Sequence, residues 1–227
     1  MTTISTCPPS FADGEVAARL AHVRQRIARA GGDPETVRVI AVTKGFGPEA
    51  VTAARSAGLR DVGENYAAEL RTKAPGPAGT HWHFLGAVQR NKVNALAPLV
   101  DVWQSVARPI EGQSIARHAP GARVLIQVDT SGVPGRNGCA PEEVEPLARS
   151  LSALDLRVEG LMTVAPPEAT AAAAAFRVVG QVADALGLPE RSMGMSDDLE
   201  SAVAAGSTMV RIGRALFGER PPIGAGE

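Results

Sequence analysis

Apolar residues near the start of the chain recur at the spacing of a helix. Successive apolar positions are separated by steps of four, three and four residues, at Val16, Leu20, Val23 and Ile27. This spacing predicts an amphipathic helix with one face in the core. Asp13 is a suitable N-cap for this helix, and the pair Gly31 and Gly32 predicts its end.

After this helix the chain repeats one pattern, a short segment rich in Val, Ile, Leu and Phe, then a loop, then an Ala-rich helical segment. Eight candidate strands begin near Val37, Leu59, His81, Asp101, Arg123, Arg157, Arg191 and Met209. Helix starts are predicted between them at Pro48, Pro109, Pro141, Pro167 and Ser196, and helix ends at Gly58, Gly187 and Gly206. Successive strands begin roughly 20 to 34 residues apart, which is the length of a βα unit.

Eight strands that alternate with helices favour a single closed (β/α)8 barrel, the TIM barrel of the α/β class. We assign the barrel to residues 13–220, between a flexible N-terminal tail at 1–12 and a C-terminal tail at 221–227. The alternative is an open α/β sheet. In such a barrel, functional groups lie at the C-terminal ends of the strands, and phosphate usually binds after the seventh and eighth strands.

Composition narrows the class of protein. Hydrophobic residues make up 44% of the 227 residues, which is enough for a sizeable core and excludes a disordered chain. The net charge is -1, so no positive surplus attracts nucleic acid. We find no secretory signal and no apolar run of membrane-spanning length. Cys7 and Cys139 match no metal or redox motif, so we expect free thiols and a cytoplasmic protein that binds neither nucleic acid nor membrane.

Lys44 ends the segment VRVIAVTKG, which contains the first predicted strand. Strand alternation puts Ile40, Val42 and Lys44 on one face, so the lysine stands at the C-terminal end of an apolar row that faces the barrel interior. Poor solvation there disfavours the ammonium form, and a neutral amine can attack an aldehyde to make a Schiff base. The alternative is a solvated lysine at the strand rim with no chemical role.

Two C-terminal segments have features of an anion site. In RSMGMSDDLESAVAAG, Ser196 follows a predicted strand and precedes a predicted helix, whose free backbone N–H groups could bind phosphate together with the serine hydroxyl. In MVRIGRALFG, Gly213 lets backbone N–H groups come close to a ligand. Simple helix capping is the alternative for Ser196, and Asp197 and Asp198 would not help to bind an anion.

Arg211 and Asn65 are polar residues predicted at the barrel interior or its rim. Arg211 shares strand parity with Gly213, so its guanidinium should project toward the barrel axis, where it needs a partner. A buried carboxylate would serve, and so would a ring nitrogen that accepts a hydrogen bond. Asn65, in GENY at 63–66, could hydrogen-bond a ring oxygen, although helix capping is the commoner role for such an asparagine.

Two further motifs do not indicate a metal or nucleotide site. His81 and His83 lie on one strand face, but two ligands do not make a zinc site, and we expect no bound metal. The glycine-rich stretch GVPGRNG at 132–138 lacks the phosphate-binding GxxxxGKS/T frame. We interpret it as a loop after the fifth strand.

Seven segments of the chain match a known set of motifs in the same order. They are AVTKG around Lys44, GENY at 63–66, HFLGAVQRNK at 83–92, QSV at 104–106, GLMTVAP at 160–166, SMGMSDDLESAVAAGSTMVRIG at 192–213 and ALFG at 215–218. In these segments the sequence resembles the YggS/PROSC-type pyridoxal phosphate homeostasis proteins. The resemblance covers nearly the whole chain after residue 12, and the long C-terminal motif is highly specific.

The resemblance implies a barrel like the N-terminal domain of alanine racemase, which is fold type III among proteins that bind pyridoxal 5′-phosphate (PLP). It implies that PLP is the cofactor and is held as a Schiff base on Lys44. By the same resemblance, Arg211 would face the pyridine nitrogen, Asn65 would lie beside the ring and Met193 would pack on it.

For the phosphate, the resemblance implies contacts from Ser196 and from the backbone around Gly213 and Arg214. Two departures matter. Some members have a hydroxyl residue where this chain has Arg214, and the loop after the fifth strand has Arg136 where a lysine is usual. A backbone N–H and a nearby guanidinium could replace the lost hydroxyl contact.

The sequence favours a PLP carrier over an enzyme. The resemblance implies that a racemase would need a tyrosine from a second β domain on the face opposite Lys44, whereas the one tyrosine here is Tyr66. Arg211 can only donate to the ring nitrogen, which leaves the ring a poor electron sink. We expect a monomer that buffers PLP or delivers it to PLP-dependent apo-enzymes, without robust turnover. The alternatives are a small-barrel PLP-dependent amino-acid racemase and a Schiff-base lyase acting on a sugar phosphate.

Overall fold

The computed structural model describes residues 11–12, 14–133 and 135–220. Most of the predicted N-terminal tail, the whole C-terminal tail at 221–227, the proposed cap Asp13 and Cys7 lie outside these residues. In the described chain, parallel strands close into a barrel in sequence order, so the predicted barrel is confirmed and the open sheet is excluded. The strands are β1 Arg38–Val42, β2 Asp61–Glu64, β3 His81–Phe84, β4 Val102–Val106, β5 Arg123–Val128, β6 Arg157–Thr163, β7 Glu190–Ser192 and β8 Met209–Ile212.

Helices surround this barrel and connect its strands. They are α1 Glu15–Arg29, α2 Pro48–Ser56, α3 Ala67–Lys73, α4 Arg90–Leu96, α5 Pro109–His118, α6 Val144–Ser152, α7 Ala169–Ala185, α8 Leu199–Ala204 and α9 Arg214–Phe217, with a 3-10 turn at Pro141–Glu143. The apolar stripe predicted on α1 is buried as expected. No helix of the described chain combines the length and the apolar character that crossing a bilayer requires.

Strand alternation divides the core into two layers. A small inner cluster fills the barrel and consists of Ile40, Val102, Leu125, Met162 and Met209. The outward positions pack against the helices and form larger clusters, which include the fully buried Trp103 and Phe176. Because all strands are parallel, their C-terminal ends meet at one rim, where the residues predicted for the site lie.

Two predicted helix starts are displaced. The helix after β7 begins at Leu199 with Asp198 as its N-cap, so Ser196 does not open it. The Asp198 carboxylate accepts a hydrogen bond from the Met195 N–H, and this contact holds residues 196–198 in a turn before the helix. The helix predicted from Pro167 begins at Ala169, because the Glu168 side chain caps its first free N–H groups.

Three phenylalanines join the two ends of the described chain at the C-terminal rim. Phe11 precedes α1, Phe46 follows β1 and Phe217 ends α9. The ring centroid of Phe11 lies 6.1 Å from that of Phe46 and 5.5 Å from that of Phe217, and the latter two are 5.5 Å apart. This aromatic cluster packs the loop after β1 against the last helix.

Candidate functional site

A cavity of about 220 Å³ opens at the C-terminal rim of the barrel. Six of the seven residues predicted for the site line it, namely Lys44, Asn65, Ser196, Arg211, Gly213 and Arg214. Residues that the sequence analysis did not assign to the site complete the wall, namely Val42, Leu85, Met162, Val164, Met195, Asp197 and Arg220. Elements from across the whole sequence therefore bring one amine, several guanidinium groups and a serine hydroxyl to one concave surface.

Lys44 lies in the turn that follows β1, two residues beyond the end of the strand. Its side chain is partly buried, and no carboxylate in the described chain forms an ion pair with it. Burial lowers the pKa of Lys44, and the positive charges of Arg220 and Arg211 lower it further. The amine is therefore neutral more often than that of a solvated lysine, which is the form that attacks an aldehyde.

A buried ionic network holds the turn that carries this lysine. The ammonium of Lys73 donates to the Thr43 carbonyl at 2.8 Å, to Glu64 Oε1 at 2.6 Å and to Glu69 Oε2 at 2.7 Å. Glu69 also accepts from the Gly45 N–H at 2.9 Å, and the Thr43 hydroxyl donates to Glu64 at 2.5 Å. The network thus fixes the backbone on both sides of the cavity lysine.

Asn65 follows β2 and reaches the cavity from the side. Its Oδ1 is buried and has no hydrogen-bond partner in the described structure. The alternative role of Asn65, helix capping, is not observed, because Tyr66 is the N-cap of α3. The backbone of Asn65 passes so close to Gly86 that a Cβ at Gly86 would lie 1.9 Å from the Asn65 carbonyl oxygen. The buried Ser105 hydroxyl donates to the Gly86 carbonyl and secures this crossing.

Arg211 projects into the barrel, as its strand parity predicts, and is almost fully buried. Its guanidinium donates to the Ser192 carbonyl at 2.6 Å, to the Ser192 hydroxyl at 3.0 Å and to the Thr163 carbonyl at 2.7 Å. Of the two partners considered for Arg211, the buried carboxylate is not observed among the described residues. Burial lowers the pKa of Arg211 to about 10, so the group still carries its charge at neutral pH.

The loops after β7 and β8 line one end of the cavity. The Ser196 hydroxyl accepts from the Ala215 N–H at 3.2 Å, which leaves its own proton free for a ligand. A Cβ at Gly213 would lie 3.2 Å from the Val42 carbonyl oxygen, so glycine lets the two strands approach closely here. Arg214 is exposed, and its guanidinium donates to the Asp197 carboxylate, so the side chain already has a partner. Arg214 is also the first residue of α9, where backbone N–H groups have no partner within the helix.

One residue predicted for the site lies outside the cavity, and side chains without a predicted role lie in its wall. Met193 does not line the cavity, because β7 ends with Ser192 pointing inward and the next side chain therefore points into the outer core. Met162 and Met195 line the cavity instead. Arg220 comes back to the rim after α9, and its side chain lies against Gly45.

The two histidines of β3 lie next to the carboxylate of Asp61. His83 Nε2 lies 3.0 Å from Asp61 Oδ1, and His81 Nδ1 lies 3.6 Å from the same oxygen. In the described chain, no group of three His, Cys, Asp or Glu side chains is arranged to hold a metal ion.

Arg136 of the loop after β5 donates to the carbonyl of Val164 at 3.3 Å, which brings the Arg136 side chain near the cavity.

Comparison with known proteins places the chain in a family. The family model described as alanine racemase, N-terminal domain, matches residues 16–221. A Pseudomonas aeruginosa protein named pyridoxal phosphate homeostasis protein is 42% identical over 216 residues, which cover 90% of this chain and 94% of that protein. A protein of the same name from Deinococcus radiodurans is 40% identical, with 89% of this chain and 99% of that protein covered.

A solved structure gives the same result at the level of the fold. PipY of Synechococcus elongatus, determined with PLP bound, superposes with a TM-score of 0.77 at 31% identity, covering 89% of this chain and all of that one, 100%. These matches cover most of the chain and agree with the closed barrel, so they assign the chain to a family. The chain belongs to the family of pyridoxal phosphate homeostasis proteins, which share the barrel of the alanine racemase N-terminal domain.

Proposed function

We propose that this protein binds PLP in the rim cavity, holds it covalently on Lys44 and serves in intracellular PLP homeostasis, as a buffer or as a donor to PLP-dependent apo-enzymes. One observation carries the proposal. A lysine with a lowered pKa shares a single cavity with a serine hydroxyl, the residues Gly213 and Arg214 at the start of α9 and a buried arginine. PLP offers an aldehyde for a primary amine and a phosphate for cationic and N–H donors.

The residues present fit this ligand. The unpartnered Oδ1 of Asn65 is a buried acceptor that needs a donor, such as a ring hydroxyl. Arg211 faces the cavity with a charged donor suited to a pyridine nitrogen. Ser196 and the backbone at Gly213 and Arg214 provide donors for phosphate oxygens, and Arg220 adds positive charge at the same rim.

The same residues argue against amino-acid turnover. A racemase needs an acid or base on each face of the ring, and Lys44 provides one. Tyr66 is exposed and is absent from the described cavity wall, so it does not provide the second. A guanidinium can only donate a hydrogen bond, so the pyridine nitrogen must accept it and stays unprotonated, and the ring then withdraws electrons weakly. Storage and delivery therefore fit the site better than racemisation.

We propose that the protein acts in the cytoplasm. Cys139 is a buried free thiol, which is consistent with a reducing compartment. We propose that the protein acts as a monomer.

Borohydride trapping tests the proposal. Protein incubated with PLP should gain a visible absorbance band, and reduction with borohydride followed by peptide mass mapping should place a phosphopyridoxyl group on Lys44. The Lys44→Ala variant should give neither signal. An adduct on another lysine, or no adduct at all, would refute the proposed function.

A chiral assay separates the carrier from the racemase. The loaded protein is incubated with a panel of L-amino acids, and D-enantiomer formation is compared with that of free PLP. We expect equal rates. Turnover well above free PLP would favour the amino-acid racemase instead.

A further inference from the structure

A continuous row of hydrogen-bonded side chains crosses the barrel interior below the cavity. Arg211 donates to the Ser192 hydroxyl at 3.0 Å, and that hydroxyl lies 2.7 Å from Gln104 Oε1. Gln104 Nε2 lies 2.7 Å from His83 Nδ1, and His83 Nε2 lies 3.0 Å from Asp61 Oδ1. We call these five residues the interior chain. It links the cavity to the opposite end of the barrel, where Asp61 begins β2.

The chemistry of each group fixes the direction of these hydrogen bonds. A guanidinium can only donate, so the Ser192 oxygen accepts from Arg211 and gives its own proton to Gln104 Oε1. The amide nitrogen of Gln104 must then donate to His83 Nδ1. His83 is therefore neutral, with its proton on Nε2, and donates to the Asp61 carboxylate.

Most of the interior chain is buried, so solvent does not weaken the electrostatic effect of its aligned hydrogen bonds. Ser192, Gln104 and His83 are essentially inaccessible to solvent, and Arg211 is 5% exposed. Burial alone would raise the pKa of Asp61, but the hydrogen bond from His83 and the positive charge of the nearby Arg38 lower it on balance, which favours a carboxylate at the end of the row. A cation thus stands at one end of four aligned hydrogen bonds and an anion at the other. Aligned bonds of this kind strengthen one another in a poorly polarisable interior.

We propose that Gln104 and His83 are positioning residues for Arg211, which hold its guanidinium charged and correctly aimed at the floor of the PLP cavity. The Arg211 guanidinium has no carboxylate partner in the described chain, so its charge is balanced by dipoles whose negative ends point toward it. The inference rests on the proposed function, because it assigns Arg211 to the pyridine nitrogen.

Substitution of Gln104 tests the role with a matched control. Gln104→Leu removes the hydrogen bonds of the Gln104 side chain to Ser192, to His83 and to the Met209 sulfur. Gln104→Glu keeps an acceptor for Ser192. Gln127→Leu is the control, because Gln127 is another largely buried amide whose side chain, among the described residues, bonds only Asn137 and does not line the cavity. The measurements are the dissociation constant of PLP and the absorbance maximum of the bound cofactor.

We expect Gln104→Leu to bind PLP about 10- to 100-fold more weakly, as for the loss of one hydrogen bond to a charged group, and to shift the absorbance maximum. Gln104→Glu and Gln127→Leu should keep the wild-type maximum. If Gln104→Leu matches the wild type in both affinity and spectrum, the positioning role is refuted.

Nitrogen NMR of the protein without PLP provides a second test that needs neither ligand nor the leucine variant. In the wild type, His83 should be neutral with its proton on Nε2. In Gln104→Glu, His83 should be doubly protonated, because the new carboxylate requires a donor at Nδ1. A different protonation state of His83 in the wild type would overturn the inference. A failed PLP-binding assay with these NMR results intact would instead refute only the proposed function.

Discussion

Replacement of Lys73 by methionine should destabilise the protein strongly although Lys73 does not line the cavity. The side chain is 3% exposed, and all three of its donors are used, two of them by carboxylates. Methionine leaves Glu64, which is 0% exposed, without its cation. Removing one partner of a buried ion pair costs about 3–5 kcal/mol. For a chain of this size, that corresponds to a fall in melting temperature of roughly 6–20 °C.

The assay is thermal unfolding without PLP, with Lys92→Met as the control. Lys92 is an exposed lysine in α4, and its substitution should change stability by about 0.5 kcal/mol or less. The double variant Lys73→Met with Glu64→Gln should recover part of the loss, because it removes the unpaired charge. A loss below about 1 kcal/mol, or no recovery in the double variant, would refute the reasoning.

The sign of the pH dependence gives a further check. Burial raises the pKa of Glu64, and Lys73 counteracts this effect, so removing Lys73 should raise the pKa further. The native state of the variant then binds a proton more tightly than the unfolded state does. Its stability should fall as the pH rises above the range of an ordinary glutamate, and the penalty of the substitution should shrink at acid pH. A penalty that grows on acidification would contradict this assignment.

Three more predictions concern the site and one thiol. Gly86→Ala should displace the backbone of Asn65, lower stability by about 1–3 kcal/mol and weaken PLP binding, as measured by unfolding and titration. The rate at which Lys44 captures PLP, followed by stopped-flow absorbance, should rise with pH and level off below the pKa of a free lysine, near 10.4. Burial raises the pKa of Cys139 to about 11, so iodoacetamide should not label the native Cys7→Ser variant at pH 8.

Each of these has a result that would contradict it. Unchanged stability and affinity in Gly86→Ala would mean that the close approach of Gly86 to the Asn65 backbone is relieved without cost. A capture rate that keeps rising beyond pH 10.4 would mean that Lys44 is as well solvated as a free lysine. Stoichiometric labelling of Cys139 in the folded variant would mean that its thiol is accessible.

The barrel was predictable because each βα unit carries local signals. Apolar runs predicted every strand start to within two residues, as at Leu59 and β2 or at His81 and β3. Prolines at Pro48 and Pro109 begin helices at the predicted positions. Strand alternation also predicted that Arg211 points inward. These features depend on residues only a few positions apart.

The errors arise where a side chain's environment depends on distant segments. Met193 was assigned to the ring by resemblance, although the inward position of Ser192 forces the next residue outward. Ser196 was expected to open a helix, but the Asp198 side chain delays its start. Arg220 was missed because it returns to the rim after α9. The role proposed for Gln104 could not be predicted, because its partners His83 and Ser192 lie 21 and 88 residues away in the sequence.

The aromatic cluster at the rim also indicates how a circular permutant of the chain could be designed. Because the ring centroids of Phe11 and Phe217 are 5.5 Å apart, a short peptide linker could connect the two ends of the described barrel. New ends could then be opened at Gly187, an exposed turn residue between α7 and β7 with free space around it. Such a circular permutant keeps every strand pair, including that of β1 with β8, while its ends move to the side of the barrel away from the ligand.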